Sequence, residues 1–275
     1  MVDTKSPSPV ISFVRPQRTL AISLTGTQCA LQCAHCAGHY LRGMVAVEQA
    51  DGAGMSSCLI SGGCDLRGCV PVRSHLSKLE ALRAGRRLNW HVGMIDEDDV
   101  SAIAGLVDVI SFDFVGDQET IREVYGLDYT PQDYLHTYEH LCQRFAVVPH
   151  LTLGLRGGHF SGEYLALEML KTAGLRALVV LVLIPTPGTR YEKCCPPHVE
   201  EVIAFLAEAR RRLPLTPIYL GCMRPGGAYR RTLDPLAVRA GVDKVVNPSR
   251  SAVAVAQELG LQVQWENECC VFPKL

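Results

Sequence analysis

The chain alternates short apolar runs with longer amphipathic segments, and this alternation constrains its fold more than any other feature. Eight runs have the length and composition of strands: Leu20–Leu24, Ser57–Ser61, Leu88–Val92, Val107–Phe112, Val147–Leu153, Leu178–Ile184, Ile218–Leu220 and Lys244–Val246. Helical patterns lie between them, which is typical of parallel strands joined by helical crossovers. The pattern predicts an α/β fold with a (βα)8 TIM-type barrel; an open doubly wound sheet is the alternative.

The composition fits one large domain. The chain has 275 residues, of which 48% are apolar, and a barrel of this type needs about 250. We expect residues 1–15 to form a flexible N-terminal extension and residues 16–262 to form the barrel. Residues 263–275 should form a tail that carries Cys269 and Cys270 over the barrel mouth, where the chemistry of such barrels lies.

Charge and cysteine usage narrow the class of protein. The net charge of −1 gives no electrostatic reason for nucleic-acid binding. No apolar run has membrane-spanning length, and the N-terminus shows no basic region followed by an apolar one. The chain carries twelve cysteines, which in the absence of a secretory signal favour metal or cluster chemistry over disulfides. We therefore expect a cytoplasmic protein without a membrane or nucleic-acid partner.

Three cysteines stand on one loop directly after the first predicted strand. Cys29, Cys33 and Cys36 form a C-x3-C-x2-C pattern, and three thiolates so close together suit a cubane iron–sulfur cluster. The fourth iron then has no protein ligand nearby and stays open to a small molecule. A zinc knuckle would need a fourth ligand at similar spacing, for which His35 and His39 are poorly placed. A disulfide pair is the other alternative.

The cysteine spacing after a first strand resembles the signature of the radical S-adenosylmethionine (SAM) superfamily. The resemblance implies a [4Fe–4S] cluster on Cys29, Cys33 and Cys36, with SAM on the open iron. Cleavage of SAM would give a 5′-deoxyadenosyl radical that abstracts hydrogen from a substrate. The resemblance also implies SAM contacts at the ends of the predicted strands and beside the cluster, from His35, Ser61, Gly62, Gly63, Asp113, Arg156, Ile184 and Pro185. Cys64 replaces the acid of the family's Gly-Gly-Glu motif.

Longer sequence segments are similar to those of the biotin-synthase branch of that superfamily. They are Ile60–Pro71, Val115–Tyr125, Leu220–Pro225 and the terminal Cys269-Cys270, and they most resemble one subunit of the two-protein lipoyl synthases. That resemblance implies sulfur insertion into an octanoyl chain carried on a protein lysine. It also implies three partners: an octanoylated carrier protein, a second radical SAM subunit, and an electron donor such as ferredoxin or flavodoxin.

Sulfur insertion would draw on a second [4Fe–4S] cluster. Cys222, Cys269 and Cys270 are the first choice of ligands, because a tail folded over the mouth would bring them together. Cys64 with Cys69, and then Cys194 with Cys195, are the reserves. Unliganded thiols are the alternative.

Two other functions stay open. A biotin-synthase-like radical SAM enzyme without sulfur insertion, such as a mutase or a cofactor-maturation enzyme, would need only one cluster. A non-enzymatic cysteine-rich metal-binding protein would not bind SAM, and Gly62 and Gly63 would be dispensable. Arg224, Arg230 and Arg231 follow the seventh predicted strand and are expected either to meet an acidic carrier or to be solvated at the surface.

Overall fold

The computed structural model describes residues 10–272, and their centre is one curled sheet of eleven parallel strands. The strands are β1 Val10–Val14, β2 Thr19–Ser23, β3 Val45–Ala46, β4 Ser57–Ser61, β5 Arg87–His91, β6 Val109–Asp113, β7 Val147–Leu153, β8 Leu178–Val182, β9 Ile218–Leu220, β10 Lys244–Val246 and β11 Gln262–Glu266. Their order is β11-β1-β10-β9-β8-β7-β6-β5-β4-β2-β3. Within residues 10–272, β3 and β11 form the two ends of the sheet, so the barrel is not closed by strand pairing.

Helices follow most strands and cover the outer face of the sheet. They are α1 Leu76–Arg83, α2 Glu97–Ile103, α3 Gln118–Thr120, α4 Pro131–Cys142, α5 Glu163–Ala173, α6 Val199–Arg212, α7 Gly227–Arg239 and α8 Arg250–Glu258, and a π-helical turn, Ile121–Tyr125, continues α3. Local sequence explains several starts. At α4, Thr130 and Asp133 form a reciprocal capping box and Pro131 occupies the first turn, which satisfies backbone N–H groups that have no partner inside the helix.

The prediction of an α/β barrel-type fold is confirmed, and each of the eight predicted strands is present with ends shifted by up to two residues. The sequence analysis missed β1, β3 and β11. The first of these corrects the expected N-terminal extension. Val10–Val14 pairs with both β10 and β11, because its apolar alternation buries Ile11 and Phe13 under the helices. Residues 1–9 of that extension lie outside the described residues.

Two apolar clusters hold the fold. The larger one lies between the sheet and its helices and includes strand residues such as Ile110 and Val180. The smaller one fills the inside of the curled sheet, where Val109, Val148 and Val179 pack around Val271 and Phe272. Alternation along each strand therefore sends one set of side chains to the helices and the other to the interior.

The C-terminal tail lies at the end of the barrel opposite the expected one. Glu268 pairs with Arg87, the first residue of β5, and the Lys244 Nζ, at the start of β10, donates to the carbonyls of Cys270 and Phe272 at 3.1 and 3.3 Å. These basic side chains point inward at the amino-terminal edge of the sheet and need acceptors there. The tail closes that edge and leaves the carboxyl edge, the mouth, uncovered by residues 267–272. Residues 273–275 of the predicted tail lie outside the described part of the chain.

No helix within residues 10–272 combines the length and apolar character that a membrane crossing requires.

Candidate cluster and cofactor site

The cysteine loop connects β2 to a 3-10 turn, His39–Gly43, at the carboxyl edge of the sheet. Backbone hydrogen bonds from three other segments hold it. Ala30 N donates to the Cys64 carbonyl at 2.8 Å, Ala34 N donates to the Val124 carbonyl at 2.7 Å, and Tyr191 N donates to the Ala34 carbonyl at 3.0 Å. Inside the loop, the N–H groups of Cys36 and Ala37 both donate to the Cys33 carbonyl at 3.1 and 3.0 Å. The three cysteines are therefore presented on a braced turn.

The Gly62-Gly63 segment packs against this loop. Gly63 N donates to Thr25 Oγ1 at 2.7 Å, and a Cβ added at Gly63 would lie 2.6 Å from the Cα of Cys29. Only glycine permits so close an approach of two backbones. Ser61, the last residue of β4, accepts a hydrogen bond from Leu24 N at its carbonyl, so the start of the cysteine loop continues the pairing of β2 with β4.

The three thiols lie within electrostatic range of one another. The pKa of Cys33 is raised to about 12, first by burial and then by the neighbouring Cys36 and Cys29. Burial also raises the pKa of Cys64, with Cys29 and Cys33 as the next causes. A thiolate in such a place needs a cation to stabilise its charge. The donor set thus fits an iron–sulfur cluster, whose irons bind deprotonated cysteines.

Within residues 10–272, no three His, Cys, Asp or Glu side chains converge tightly enough to hold a single metal ion. A cubane cluster spreads its ligands over separate irons, so its thiols need not converge on one point.

A cavity of about 120 Å³ opens beside the cysteine loop. Cys29, Cys33 and Cys64 form one wall, and His91 and Asp113, at the ends of β5 and β6, form part of the other. The space thus lies between the cysteine loop and the carboxyl ends of β5 and β6.

His35 shows a specific fit for a ligand. Its Nδ1 atom is buried and has no hydrogen-bond partner among the described residues, and burial lowers the pKa of its imidazole to about 4. Its ring meets the edge of Tyr125 with centroids 5.7 Å apart. A neutral ring with an unpaired polar atom next to the cysteine loop can hydrogen-bond to a bound molecule. Its contact with SAM stays a prediction.

The other predicted SAM contacts lie at different distances from this cavity. Asp113 lines it, with Oδ2 3.9 Å from His91 Nδ1. Ile184 and Pro185 form the turn after β8, which reaches the loop through Thr186: the Tyr40 and Thr186 hydroxyls are 2.8 Å apart. Arg156 does not line the cavity, because its guanidinium is engaged by Glu119 and by Glu123 at 2.7 Å. Its contact with SAM remains a prediction.

Arg156 nevertheless connects to the cysteine loop through Glu123. The Glu123 carboxylate accepts hydrogen bonds from the Arg156 Nε and from the Tyr191 hydroxyl at 2.7 and 2.6 Å, and Tyr191 N binds the carbonyl of Ala34. The hydrogen bond from Tyr191 and the Arg156 guanidinium lower the pKa of Glu123. Sequence analysis missed Glu123 and Tyr191 as supports, because neither belongs to a motif and the link forms only in three dimensions.

The second set of cysteines lies inside the barrel. Cys269 and Cys270 occupy the tail, and the Asn89 amide donates to the Cys269 Sγ at 3.4 Å. A hydrogen bond from Cys270 lowers the pKa of the Cys269 thiol, whereas burial and then the charge on Cys269 raise the pKa of Cys222. Cys222 therefore lies within electrostatic range of Cys269, in the interior and not at the mouth. A cluster on Cys222, Cys269 and Cys270 stays a prediction.

The reserve cysteines are separate from that group. Cys64 belongs to the cavity beside the cysteine loop. The buried Cys69 thiol donates to the Met94 carbonyl, and Cys194 and Cys195 lie on the loop before α6.

The interior wall also contains polar groups that sequence analysis did not single out. The rings of His91 and His150 are 5.4 Å apart between centroids, and the His150 Nδ1 donates to the Val148 carbonyl at 3.1 Å. Burial lowers the pKa of His150 to about 4, with the neighbouring His91 as the next cause. Both histidines lie at inward-facing positions of their strands. The alternation of apolar and polar residues along β5 and β7 could have predicted this from the sequence.

Comparison with known proteins shows similarity in fold. The structure resembles the FeFe-hydrogenase maturase HydG from Carboxydothermus hydrogenoformans, with a TM-score of 0.63 and 16% identity over 86% of this chain and 59% of HydG. It also resembles the methylornithine synthase PylB, with a TM-score of 0.62 and 14% identity over 93% of this chain and 84% of PylB.

A third similar structure is Streptococcus suis SuiB bound to precursor peptide SuiA, with a TM-score of 0.52 and 14% identity over 88% of this chain and 51% of SuiB. The chain thus spans less than two thirds of HydG and of SuiB. No family model and no curated protein sequence matches the chain. At these identities the likeness shows a shared barrel, and the chemistry has to be argued from the residues.

Proposed function

We propose that the chain is a radical SAM enzyme. The observation that carries the proposal is the braced loop of Cys29, Cys33 and Cys36, pressed against Gly63 at the carboxyl edge of the sheet. The fold adds support, since it is shared with two enzymes of biosynthesis and maturation, the methylornithine synthase PylB and the FeFe-hydrogenase maturase HydG. Bound at this site, a [4Fe–4S] cluster and SAM supply a radical able to abstract hydrogen from an unactivated C–H bond.

The protein contributes binding, orientation and exclusion of water. Cys29, Cys33 and Cys36 would hold the cluster, while the half-buried backbone at Gly62 and the unpaired His35 Nδ1 would bind SAM. Asp113 offers a carboxylate at the end of β6 that can accept hydrogen bonds from ribose hydroxyls. The apolar tail closes the amino-terminal end of the barrel, which shields the interior from solvent and from side reactions.

The test is anaerobic reconstitution followed by iron and sulfide analysis, Mössbauer spectra and an assay for 5′-deoxyadenosine. Wild type should contain cubane iron and cleave SAM when reduced. Changing Cys29, Cys33 and Cys36 to Ala should remove about four irons and abolish cleavage. Cys142→Ala is the matched control, since Cys142 lies exposed on α4. Equal iron content in the triple variant and the control would contradict the proposal.

For the reaction itself we propose sulfur insertion into a protein-bound octanoyl chain, as in a lipoyl synthase subunit. Support comes from Cys269, whose thiol lies in the interior beside the Asn89 amide, and from Cys222, which lies within electrostatic range of it. Thiols in this region could hold a sulfur-donating cluster. A triple Cys→Ala variant at these positions should then lose about four of eight irons and retain SAM cleavage. An iron content of about four in wild type would exclude this mechanism.

A specific observation also favours hydrogen abstraction without sulfur insertion. The interior next to the cavity carries His91, His150 and Asp113, whereas an octanoyl chain would bind best to an apolar wall. A radical SAM enzyme of the mutase or cofactor-maturation type would use such polar groups to orient its substrate. Iron counting separates the two functions, because this second one needs a single cluster.

A further inference from the structure

A second concave site lies at the same carboxyl edge of the sheet, between the first turns of α7 and α8. A cavity of about 500 Å³ is lined there by two small serines, Ser249 and Ser251, by Gly226 and Gly227, and by the arginines Arg230, Arg231 and Arg250. Among residues 10–272, no carboxylate lines it. We call it the α7–α8 cleft.

The charges in this cleft oppose the usual helix pattern. Each helix N-terminus carries roughly +0.5 of an elementary charge, so acidic residues stabilise it and basic ones do not. α2 and α6 follow the rule, with acidic residues in their first turns. α7 and α8 have no acid in the first turn. Instead, Arg250 is the first residue of α8, and Arg230 and Arg231 follow the first turn of α7. Such a local conflict is expected where a ligand supplies the missing charge.

The three arginines have no carboxylate partner within residues 10–272. The Arg230 Nη2 donates to the Arg224 carbonyl at 2.9 Å, and its Nε is buried without a hydrogen-bond partner. Arg231 and Arg250 are exposed. Their neighbour Arg224 shows the contrast, because Asp234 accepts from its Nε and Nη2 at 2.8 and 2.9 Å.

The cleft is also rigidly built. Asp234 also accepts a hydrogen bond from the backbone N–H of Ser249 at 2.8 Å. Arg224 lies in the loop after β9 and Ser249 in the loop after β10, so the Arg224–Asp234 ion pair connects these two loops. The Ser249 and Ser251 hydroxyls are 2.9 Å apart, and the Ser251 hydroxyl donates to the Arg231 carbonyl at 3.0 Å. The arginines therefore project from a fixed frame, which lowers the entropic cost of binding.

We propose that the α7–α8 cleft binds the phosphate group of a phosphorylated small molecule. A phosphate has enough oxygens to accept hydrogen bonds from three guanidinium forks and from free backbone N–H groups at the start of α7. The concave shape and the volume suit a small molecule. This site goes beyond the proposed radical chemistry, and because it lies at the same edge as the cysteine loop, it can anchor a substrate whose other end enters the barrel.

Isothermal titration of the full chain in phosphate-free buffer tests the proposal, with inorganic phosphate and pyrophosphate as probes. Wild type should bind at one saturable site. Arg231→Gln and Arg250→Gln should each weaken binding about tenfold. Arg176→Gln is the control, because Arg176 is exposed at the opposite edge of the sheet, just before β8. This variant should bind phosphate with the wild-type affinity.

Melting temperatures measured with and without phosphate distinguish phosphate binding from a purely structural role of Arg231 and Arg250. Without phosphate, Arg231→Gln and Arg250→Gln should melt above wild type, because each removes a positive charge near a helix N-terminus. With phosphate, wild type should gain more stability than either variant. The proposal is overturned by absence of saturable binding in wild type, by unchanged affinity in both variants, or by binding of polyglutamate in place of both phosphate probes. None of these outcomes depends on the cysteine cluster.

Discussion

Gly63 and Cys29 approach so closely that no side chain can stand between them. A Cβ on Gly63 would lie 2.6 Å from the Cα of Cys29 and 1.9 Å from the carbonyl oxygen of Gln28. At Gly62 the nearest atoms, on Thr25 and Val70, would be 3.4 Å away. The two glycines of the motif therefore have different roles: Gly63 sets the position of the cysteine loop, whereas a side chain at Gly62 would make only ordinary van der Waals contacts.

Gly63→Ala should displace the cysteine loop. The added methyl would collide with backbone that cannot rotate away, and overpacking of this kind costs about 1–3 kcal/mol. We expect reduced iron incorporation after anaerobic reconstitution and a lower free energy of unfolding in urea. Gly62→Ala is the control and should fold and take up iron like wild type, with any defect confined to SAM affinity. Normal iron content in Gly63→Ala would show that the loop is not fixed by this contact.

The sequence predicted the parts of this site that local chemistry dictates. Cysteine spacing identified Cys29, Cys33 and Cys36, and the position of Gly62-Gly63 after a strand placed it beside them. Glu123 and Tyr191 could not be found in this way, because each is ordinary in its own segment. Their role arises from a contact between residues 68 positions apart, and a single sequence carries no signal for such a pair.

Tyr191→Phe tests this support. The change removes the hydroxyl that donates to Glu123 at 2.6 Å and leaves the ring in place. Loss of one hydrogen bond to a charged group should cost about 1.5–3 kcal/mol at most, measured by urea unfolding. Cluster uptake should also slow, since Tyr191 N holds the Ala34 carbonyl of the loop. Tyr164→Phe, at an exposed tyrosine of α5, is the control and should change neither quantity.

Breaking the buried ion pair of Arg224 and Asp234 should be strongly destabilising. Both side chains have no exposed surface, so Asp234→Asn leaves an arginine without a counter-charge in the interior. Removing one member of such a pair costs about 3–5 kcal/mol, readable as a lower urea midpoint with an unchanged slope. The double change Arg224→Met with Asp234→Leu should recover part of that loss. If the losses of Arg224→Met alone and Asp234→Leu alone add up to the loss of the double variant, the pair is not coupled.

The tail lies away from the position predicted for it. Cys269 and Cys270 were expected over the mouth, because nothing in residues 263–275 indicates one end of the barrel over the other. The informative signal lay elsewhere, in Arg87 and Lys244 at inward positions at the starts of strands. Buried basic groups need partners, and the acidic residues Glu266 and Glu268 provide them at the amino-terminal edge.

Phe272→Ala should therefore destabilise the barrel, although the residue stands near the end of the chain. Phe272 is 3% exposed and its ring lies under the Arg87 guanidinium, 4.4 Å from ring centroid to Cζ. Truncating a buried phenylalanine costs about 3–5 kcal/mol. Trp265→Ala is the control, because that side chain is half exposed and should lose less. If both variants lose the same free energy of unfolding, packing of the tail into the amino-terminal end of the barrel does not stabilise the fold.

The interior histidine His150 should make the fold sensitive to acid. Burial lowers its pKa from 6.5 to about 4, so the folded chain keeps the ring neutral while the unfolded chain protonates it. The resulting stability is complete above pH 6.5 and is lost as the pH falls towards 4. The groups facing it act in opposite directions, since His91 lowers the pKa further and Asp113 raises it. At pH 5 the loss should reach at most about 2 kcal/mol.

His150→Asn removes the titrating ring and keeps a donor for the Val148 carbonyl. Its free energy of unfolding should fall less than that of wild type between pH 7 and pH 5, measured by urea titration at each pH. His136→Asn, at an exposed position on α4, should follow the wild-type slope. Parallel losses in wild type and His150→Asn would mean that the ring is protonated in the folded chain and hence open to water. A wet interior would in turn speak against the shielded radical chemistry proposed for this site, because that chemistry depends on excluding side reactions with solvent.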